Sequence, residues 1–334
     1  ILPMLKVGGM QLFRIESSDQ SGKALPRTTQ LTSGILIFYS TLTLICACAY
    51  WLAGMTNFEA IAHAMTTIAT GGFSTSDQSI GHFNNMTIDY IATIGMFLGA
   101  LPFILYLKTV QGDWTILLRD SQVRSFVGVL IIFIITVSTW LWITNQYNLA
   151  MAMRLASFNI MSIITGTGYV TNDFGSWGSF ANPLFFLIMF IGGCAGSTTC
   201  GIKVFRFQVL YAAAQTQIHH LLQPRGVFIP RYNRRPISDE IIFSVLSFFF
   251  MWFLTFSVVA LGLGMLGLDF LTALSSAATS VANVGPGLGS ISGPTGTFQT
   301  FPEAAKWLMI GGMLLGRLEL FTVIILFTRT FWRS

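Results

Sequence analysis

The sequence predicts an all-α membrane protein built from tandem repeats, each with a long helix, a short helix and a second long helix. The 334-residue chain is 53% hydrophobic and only 9% charged, with a mean hydropathy of +0.68, whereas soluble domains carry about 25% charged residues. Apolar segments that are long enough to cross a bilayer alternate with shorter ones, and each shorter segment ends in a glycine-rich loop. These observations exclude an ordinary soluble globular protein.

Six segments are long and apolar enough to cross the membrane, because a helix spanning the ~30 Å hydrocarbon core needs about 20 residues. The first ten residues are typical of the end of another such helix. The six predicted spans are Leu31–Ala53, Ile88–Val110, Val123–Ile143, Pro183–Leu210, Ile241–Leu263 and Ala305–Thr328.

Three shorter amphipathic segments, Asn57–Thr70, Leu149–Ile164 and Asp269–Ala282, are predicted to enter the membrane without crossing it. At a rise of ~1.5 Å per residue, a helix of about 14 residues reaches only about 21 Å. The order of long helix, short helix, glycine loop and long helix occurs three times, which indicates internal repeats. The glycine loops read IATGGFST (68–75), ITGTGYVT (164–171) and VANVGPGLG (281–289).

The distribution of charge predicts the orientation of the chain. Fifteen of the 18 Lys and Arg residues lie in the connections between repeats or at the chain end. Since basic connections face the cytoplasm, the glycine loops are predicted to face outward. The outer segments carry six carboxylates but only two basic residues, Arg154 and Lys306. We therefore interpret the net charge of +5 as a topology signal, and we expect no nucleic-acid partner.

The glycine loops predict a path for a monovalent cation. Non-helical backbone at membrane depth is tolerated where it is buried in protein or lines a water-filled cavity, and its carbonyl oxygens can replace the hydration shell of a cation. Short helices running inward place the negative ends of their dipoles near the same point. The loops contain no Lys or Arg for an anion and no ring of carboxylates for calcium. The four cysteines are spaced for neither a disulfide scaffold nor a zinc site.

A secondary carrier and a membrane-embedded enzyme are the competing function classes. A carrier built from inverted repeats would alternate the orientation of its repeats, whereas the basic connections here all lie on one side. An enzyme would need clustered His, Asp or Glu, or a Ser–Lys pair, inside the spans, where only Arg317 and Glu319 stand out. The sequence contains no phosphate-binding loop, so we expect neither nucleotide hydrolysis nor a cofactor.

Seven segments carry a specific family resemblance that runs in the correct order along essentially the whole chain. They are GGMQLFR (8–14), WLAGMTNFEAIAH (51–63), TIATGGFST (67–75), IGGCAGST (191–198), NVGPGLG (283–289), GRLELFT (316–322) and FWRS (331–334). With them the chain resembles the TrkH-type bacterial potassium transport proteins, of the superfamily that includes KtrB and the plant HKT transporters.

The resemblance implies a potassium channel folded from one chain, with four M1–P–M2 repeats that each supply a quarter of a selectivity filter. Residues 31–112, 113–222 and 223–334 correspond to the second, third and fourth repeats, and residues 1–30 to the end of the first M2 helix and a cytoplasmic linker. Three quarters cannot close a four-sided filter, so we expect the complete protein to extend upstream. The first quarter, which bears on K⁺ versus Na⁺ selectivity in this superfamily, is not visible.

The resemblance also assigns K⁺-binding residues. The signature glycines of the family correspond to Gly72, Gly168 and Gly285, and the carbonyls of the two residues before each would face the ion. The loop of the third repeat reads GTGY where the family more usually has TAGF, which adds flexibility. The preceding residues are Thr70 and Gly71, Gly166 and Thr167, and Asn283 and Val284.

A polar break in the predicted span Pro183–Leu210 is the candidate gate. From the residues alone, the break either lines a cavity or is a helix kink with internally bonded Ser and Thr. The resemblance implies an intramembrane loop that obstructs the path beneath the filter and must move for conduction. The predicted gate residues are Gly192, Gly193, Gly196, Ser197, Thr198, Thr199, Cys200 and Gly201.

The sequence context of Arg317 predicts a buried charge, which is functional or paired, and the resemblance adds this residue to the gate. Glu319, two residues on, lies on a different helix face and is a poor partner. The alternatives are pairing with backbone carbonyls or with another helix, or, by resemblance, an electrostatic barrier that faces the cavity. Lys203, just after the gate, is predicted to mark the cytoplasmic boundary.

The resemblance implies potassium uptake across the bacterial cytoplasmic (inner) membrane, with K⁺ as the transported ion. Channel-like movement and sodium- or proton-coupled symport stay open. Relatives form dimers on a cytosolic ring of TrkA-like nucleotide-binding subunits, so the expected partners are a second copy of the chain and such a regulatory subunit. The basic loop Lys203–Arg235 is the largest cytoplasmic connection and is predicted to bind anionic lipid or that subunit.

Overall fold

The computed structural model describes residues 28–144, 147–233, 235–289, 291–318 and 332, which fold almost entirely into helices. Two short strands, β1 (Arg231–Tyr232) and β2 (Arg235–Pro236), pair antiparallel in one connection. The helices are α1 (Thr28–Leu52), α2 (Asn57–Ile68), α3 (Met86–Gly99), α4 (Phe103–Val110), α5 (Ile116–Arg119), α6 (Ser121–Ile143), α7 (Leu149–Ile164), α8 (Ala181–Ile188), α9 (Val204–Leu222), α10 (Asp239–Met265), α11 (Phe270–Ala282) and α12 (Glu303–Arg317).

Three of the described helices, α1, α6 and α10, are long and apolar enough to cross a bilayer. Their large apolar side chains are widely exposed: Leu36 is 63% exposed, Ile132 63% and Phe250 68%. Helices that are apolar all round and unburied by protein are suited to contact with lipid. The predicted fold class of an all-α membrane protein is therefore confirmed. The predicted ends in residues 1–10 and beyond Leu318 lie outside the described residues.

The second helix of two repeats is broken, which corrects the predicted span Ile88–Val110 and shows non-helical backbone at the break predicted within Pro183–Leu210. The segment Ile88–Val110 forms α3 and α4, which are bent by 90° relative to each other. Pro102 lies at the break; it lacks an N–H group and disfavours helical backbone at the residue before it. The segment Pro183–Leu210 forms α8 and the start of α9, and residues 189–203 between them leave the helix.

Each of the three short helices, α2, α7 and α11, begins at a side chain that caps its first free N–H groups. Thr56 and Glu59 form a reciprocal capping box at α2. The side chains of Asn148 and Asp269 accept hydrogen bonds from Met151 N (2.9 Å) and Thr272 N (3.1 Å). The prediction for α7 matches the observed bounds, while α2 ends at Ile68, two residues earlier than predicted, because Thr70 has a φ of +49°.

The short helices form the centre of the protein, and the long helices surround them. Small side chains dominate α11, and Ser275, Ala277 and Ser280 are fully buried there. Small residues let helix backbones approach closely within a membrane. In α7, ten of the 16 residues are buried, including every residue from position 158 to Ile164, so that the loop after the helix begins inside the protein rather than at its surface.

One ion pair joins neighbouring repeats inside the helical core. Arg154 Nε on α7 lies 3.7 Å from Asp89 Oδ2 on α3, and the two side chains are only 15% and 10% exposed. The charge pattern of the sequence assigns both residues to the outer segments, but it does not pair them. Because both charges are withdrawn from water, each depends on the other for compensation.

Replacing Arg154 with Met is expected to destabilise the packing of α3 against α7. The variant leaves the Asp89 carboxylate without its partner, at a cost of about 3–5 kcal/mol. Thermal unfolding of the detergent-solubilised protein, followed by size-exclusion chromatography, measures the loss. Lys306→Met is the matched control, because it removes an exposed pair with Glu303 (2.9 Å), a class of pair worth about 0–1 kcal/mol. Equal unfolding midpoints for the two variants would contradict the role of the inter-repeat pair.

Candidate functional site

The three glycine loops share one backbone conformation. In each loop the first and third of the predicted binding residues have a positive φ, and the second does not. Positive φ is costly for residues with a side chain, above all for β-branched Thr70, and persists where the surroundings impose it. The φ values are +49°, +68° and +54° at Thr70, Gly166 and Asn283, and +68°, +79° and +113° at Gly72, Gly168 and Gly285.

The N–H groups of the loops are bonded to the short helices in a shared register. The middle residue of each loop donates to a carbonyl five positions earlier. These bonds join Gly71 to Thr66 (2.7 Å), Thr167 to Ser162 (2.9 Å) and Val284 to Thr279 (3.0 Å). The first and third residues of each loop also donate, so all nine N–H groups have partners.

The carbonyl groups of the same nine residues differ from the N–H groups in their hydrogen bonding. None of them accepts a hydrogen bond from any residue in the part of the chain that the structure describes. Buried carbonyls in proteins are nearly always paired. A set of nine unpaired oxygens at the ends of three helices therefore indicates a place where another electropositive group is bound.

The loops lie side by side in a constant order. A Cβ atom built on Gly72 would lie 1.7 Å from Thr167 O, and one built on Gly168 would lie 2.0 Å from Val284 O. In both cases the signature glycine of one loop lies against the carbonyl of the middle residue of the next loop. The two pairs of neighbouring loops are therefore related by a rotation and not by an inversion. At Gly285 the nearest atom among the described residues is Gly168 Cα, at 3.7 Å. That side of the third loop is open.

Helix dipoles point their negative ends at these loops. Helices α2, α7 and α11 end at the loops, and each C-terminus carries roughly half a negative charge. The nine loop residues include no charged side chain. Within residues 28–144, 147–233, 235–289 and 291–318 there is also no group of three His, Cys, Asp or Glu side chains that could hold a metal ion. Such a site offers neutral oxygens to a weakly held cation.

Sequence reasoning missed the hydroxyl side chains that anchor the loops. Thr66, Ser162 and Thr279 occupy equivalent positions, six residues before each signature glycine. Thr66 Oγ1 donates to Phe73 O (2.8 Å) and Ser162 Oγ to Tyr169 O (2.7 Å), while Thr279 Oγ1 accepts from Gly285 N (2.8 Å). The recurrence of Thr or Ser at one offset was the signal that could have identified them.

The predicted gate segment lies against the loops. Thr198 Oγ1 donates to Ile68 O at the end of α2 (3.0 Å) and Thr70 Oγ1 donates to Thr198 Oγ1 (3.3 Å). A Cβ atom built on Gly166 would lie 3.0 Å from Cys200 Cβ. Residues that are remote in sequence are thus brought together, and the segment touches two of the three loops.

The break between α3 and α4 holds the gate segment in place. Gly99 O accepts from Thr198 N (3.2 Å) and Ala100 O from Cys194 N (3.1 Å), while Phe103 N donates to Gly196 O (3.0 Å). These backbone groups are available because the helix stops before Pro102. The bend and the gate segment therefore satisfy each other's hydrogen bonds.

Thr199 is the internal centre of the gate segment. Its hydroxyl accepts from Gly193 N (3.2 Å), bonds Ser197 Oγ (2.7 Å) and accepts from Lys203 Nζ (3.1 Å). The ammonium group of Lys203 also donates to Thr199 O. Lys203 was predicted only as a boundary residue. Its side chain also forms hydrogen bonds with the predicted gate segment. The two ends of the segment, Gly192 and Gly201, lie close together, since a Cβ atom built on Gly192 would lie 2.2 Å from Cys200 O.

Arg317 corrects one prediction: its side chain is exposed, not buried. It is the last residue of α12, and its Nη1 atom contacts Cys200 Sγ in the gate segment. Glu319 lies outside the described residues.

Two further glycines were not identified from the sequence. A Cβ on Gly99 would lie 2.7 Å from Ile68 O, and one on Gly316 would lie 1.9 Å from Val281 O. Both oxygens belong to the residue four positions before a signature glycine. Gly99 and Gly316 thus allow α3 and α12 to touch the ends of the short helices. A glycine within an otherwise apolar helix is the only signal the sequence gives.

Oxidation of a Gly166→Cys variant is expected to form a disulfide with the native Cys200, because the two Cβ positions are 3.0 Å apart and a separation of about 0.5 Å more brings them into disulfide range. The positive φ at residue 166 strains the variant by about 1–2 kcal/mol. Mass spectrometry of the linked peptides detects the bond. Gly128→Cys, whose Cβ meets no atom within 4 Å, is the control. Failure of residues 166 and 200 to crosslink would show that the gate segment does not lie against the second loop.

Comparisons with known proteins agree with this geometry. Residues 1–333 match the family model described as TrkH, cation transport protein. The chain is 46% identical over 335 residues to the Trk system potassium uptake protein TrkI of Halomonas elongata, covering all of this chain and 68% of the relative. It is 37% identical over 338 residues to TrkH of Escherichia coli K12, covering all of this chain and 69% of the relative.

The structural comparison leads to the same family. The crystal structure of the potassium transporter TrkH from Vibrio parahaemolyticus superposes with a TM-score of 0.87 at 35% identity, covering 93% of this chain and 67% of that chain. These relatives are transport proteins and not enzymes, as predicted. The repeated loops, the broken helices and the match over the whole chain have one common explanation: the protein is a member of the TrkH family of cation transport proteins.

Proposed function

We propose that the protein takes up potassium across the bacterial cytoplasmic membrane through a filter of backbone carbonyl oxygens. The observation that carries this proposal is the set of nine loop carbonyls that accept from no donor among the described residues, next to nine N–H groups that are all bonded. Carbonyl oxygens arranged in this way replace the hydration shell of a cation. Potassium is the ion named for the relatives from Halomonas elongata and Escherichia coli.

The filter residues of the proposal are the nine that the sequence indicated. K⁺ is the transported ion at Thr70, Gly71 and Gly72, at Gly166, Thr167 and Gly168, and at Asn283, Val284 and Gly285. Their uncharged oxygens favour a monovalent ion, since divalent cations bind carboxylates. The absence of a titratable side chain from these nine positions favours channel-like movement over proton-coupled symport.

We infer that a fourth quarter closes the filter on the side of Gly285. Gly72 and Gly168 each meet a carbonyl of the following loop, whereas Gly285 meets none among the described residues. A fourth loop with the same rotation would supply that contact. The repeated order of contacts also argues against a carrier with inverted repeats, whose neighbouring loops would not contact each other in one register.

The gate of the proposal is the segment Gly192–Gly201, with Arg317 as an electrostatic barrier beside it. The segment contacts the ends of the filter loops through Thr198 and Cys200, so it obstructs a path that continues below them. Cations move when the segment withdraws from Thr70 and Gly166. The guanidinium of Arg317 adds a positive charge at Cys200, which opposes the passage of K⁺ while the contact lasts.

Regulation is proposed to come from a cytosolic, TrkA-like nucleotide-binding subunit bound to a homodimer of the complete protein. The connection between α9 and α10 offers exposed basic side chains at Arg225, Arg231 and Arg235. On the cytoplasmic side of a membrane, such residues attract acidic partners and anionic lipid headgroups. Helix α9 links this connection directly to the gate segment through Lys203.

Substituting Ala for Gly72 or Gly168 is expected to lower potassium uptake at least about tenfold. Each added methyl group would overlap a neighbouring carbonyl, and overpacking of this kind costs about 1–3 kcal/mol. Rubidium tracer uptake and growth at limiting potassium, in a strain without other potassium uptake, measure the effect in the full-length protein. Gly128→Ala, on α6 with no atom within 4 Å of the new methyl, serves as the control. Normal uptake by either filter variant would refute the filter assignment.

Substituting Val for Thr198 is expected to raise the rate of potassium flux several-fold. The change removes the single hydroxyl proton that Thr198 shares between Ile68 O and Gly99 O, an interaction worth about 0.5–1.5 kcal/mol that holds the gate segment against the proposed filter. Flux into liposomes containing the purified protein is the measurement. Thr136→Val removes a comparable hydroxyl bond to Ile132 O on exposed α6 and controls for the lost hydroxyl. The gate role fails if Thr198→Val transports at or below the rate of the unmodified protein.

A further inference from the structure

Tyr169 connects one filter loop to the short helix of the neighbouring repeat. The residue follows Gly168 and its side chain is fully buried. Its hydroxyl oxygen lies 2.6 Å from Thr66 Oγ1, 3.2 Å from His63 O and 3.3 Å from Thr67 Oγ1. The three partners all belong to α2, more than a hundred positions earlier in the chain.

The partners of Tyr169 also hold the first loop. Thr66 O accepts from Gly71 N (2.7 Å), and Thr66 Oγ1 donates to Phe73 O (2.8 Å). Thr67 Oγ1 bonds Tyr50 on α1 (2.9 Å). One hydroxyl network therefore fixes the second loop, the first loop and an outer helix relative to one another.

The equivalent positions in the other two loops carry no such group. Phe73 follows Gly72 and is 77% exposed, and Pro286 follows Gly285. Neither side chain contains a hydroxyl group. Among the loops that the structure describes, only the second is joined to its neighbour by a phenol.

The second loop needs this connection because its own backbone is less restrained than that of the other two loops. Its first residue, Gly166, is a glycine, which has more conformational freedom than Thr70 or Asn283 at the same place. Thr167 O, which lies against Gly72, is two residues from Tyr169. A hydroxyl held by three polar partners restrains the distance between that oxygen and the first loop.

We propose that Tyr169 is a positioning residue that sets the spacing between neighbouring filter loops and so the discrimination between K⁺ and the smaller Na⁺. The inference rests on the proposed function. Oxygens held at a fixed separation replace the hydration shell of an ion of matching size, and loops that can approach each other also accommodate a smaller ion. Loss of the hydroxyl therefore relaxes selectivity before it abolishes transport.

The test compares Tyr169→Phe with the unmodified full-length protein in liposomes, using separate K⁺ and Na⁺ gradients. The variant removes one oxygen and keeps the ring. We expect the ratio of Na⁺ to K⁺ flux to rise roughly three- to tenfold, about the range that corresponds to losing one net hydrogen bond. Tyr106→Phe is the matched control, because the Tyr106 hydroxyl donates to Leu98 O (2.8 Å) away from the filter loops. Its flux ratio is expected to stay unchanged.

A second variant covers the case in which Tyr169→Phe does not accumulate in the membrane. Thr66→Val removes the hydroxyl that forms the shortest hydrogen bond with Tyr169, and it is expected to raise the same flux ratio. Thr66→Ser retains a hydroxyl group, and its flux ratio is expected to equal that of the unmodified protein. An unmodified protein that passes Na⁺ as fast as K⁺ would disprove the proposed potassium function. A selective unmodified protein with equally selective Tyr169→Phe or Thr66→Val would overturn only the role of Tyr169.

Discussion

The structure depends on which backbone groups of the three glycine loops form hydrogen bonds with the short helices. Loop backbone inside a membrane protein must find partners for its polar groups, or leave them facing something other than lipid. Here the short helices absorb every loop N–H group, through carbonyls such as Thr66 O, Ser162 O and Thr279 O. The loop carbonyls are left over. The positive φ values at alternate positions make this division possible, since they turn the donors back toward the helix.

The same division explains why two of the second helices are broken. A continuous helix satisfies its own carbonyls and offers none to a neighbouring segment. By stopping before Pro102, α3 frees Gly99 O and Ala100 O for the gate segment. The gate segment, in turn, can leave the helix between Ile188 and Val204 because these bonds and the hydroxyl of Thr199 replace the ones it gives up. Such borrowed bonds can be exchanged more easily than a helical ladder.

Sequence patterns were sufficient for the elements whose cause is local. The length of Leu149–Ile164, its capping Asn148 and the glycines after it determine a short helix and a loop, and these were predicted with the observed bounds. The polar break at Gly192–Gly201 was likewise visible. The 90° bend at Pro102, the exposure of Arg317 and the network around Tyr169 were not, because each depends on which distant segment comes into contact. A proline allows a bend, but its size is set by the gate segment packed against it.

The three loops share one backbone conformation, but the first residue of each loop contacts a different partner. In the proposed mechanism, this difference determines how the gate segment acts on each loop of the filter. Thr70 donates through its hydroxyl to Thr198 of the gate segment, and Gly166, having no side chain, lies against Cys200. Asn283 instead donates to Met313 O on α12, the helix that ends at Arg317. In the proposed mechanism, withdrawal of the gate segment frees the first two loops directly, while the third stays tied to its own helix. In a tetramer of identical chains all quarters would respond alike; because the repeats of this chain differ, the proposed filter would loosen on one side and be held on another.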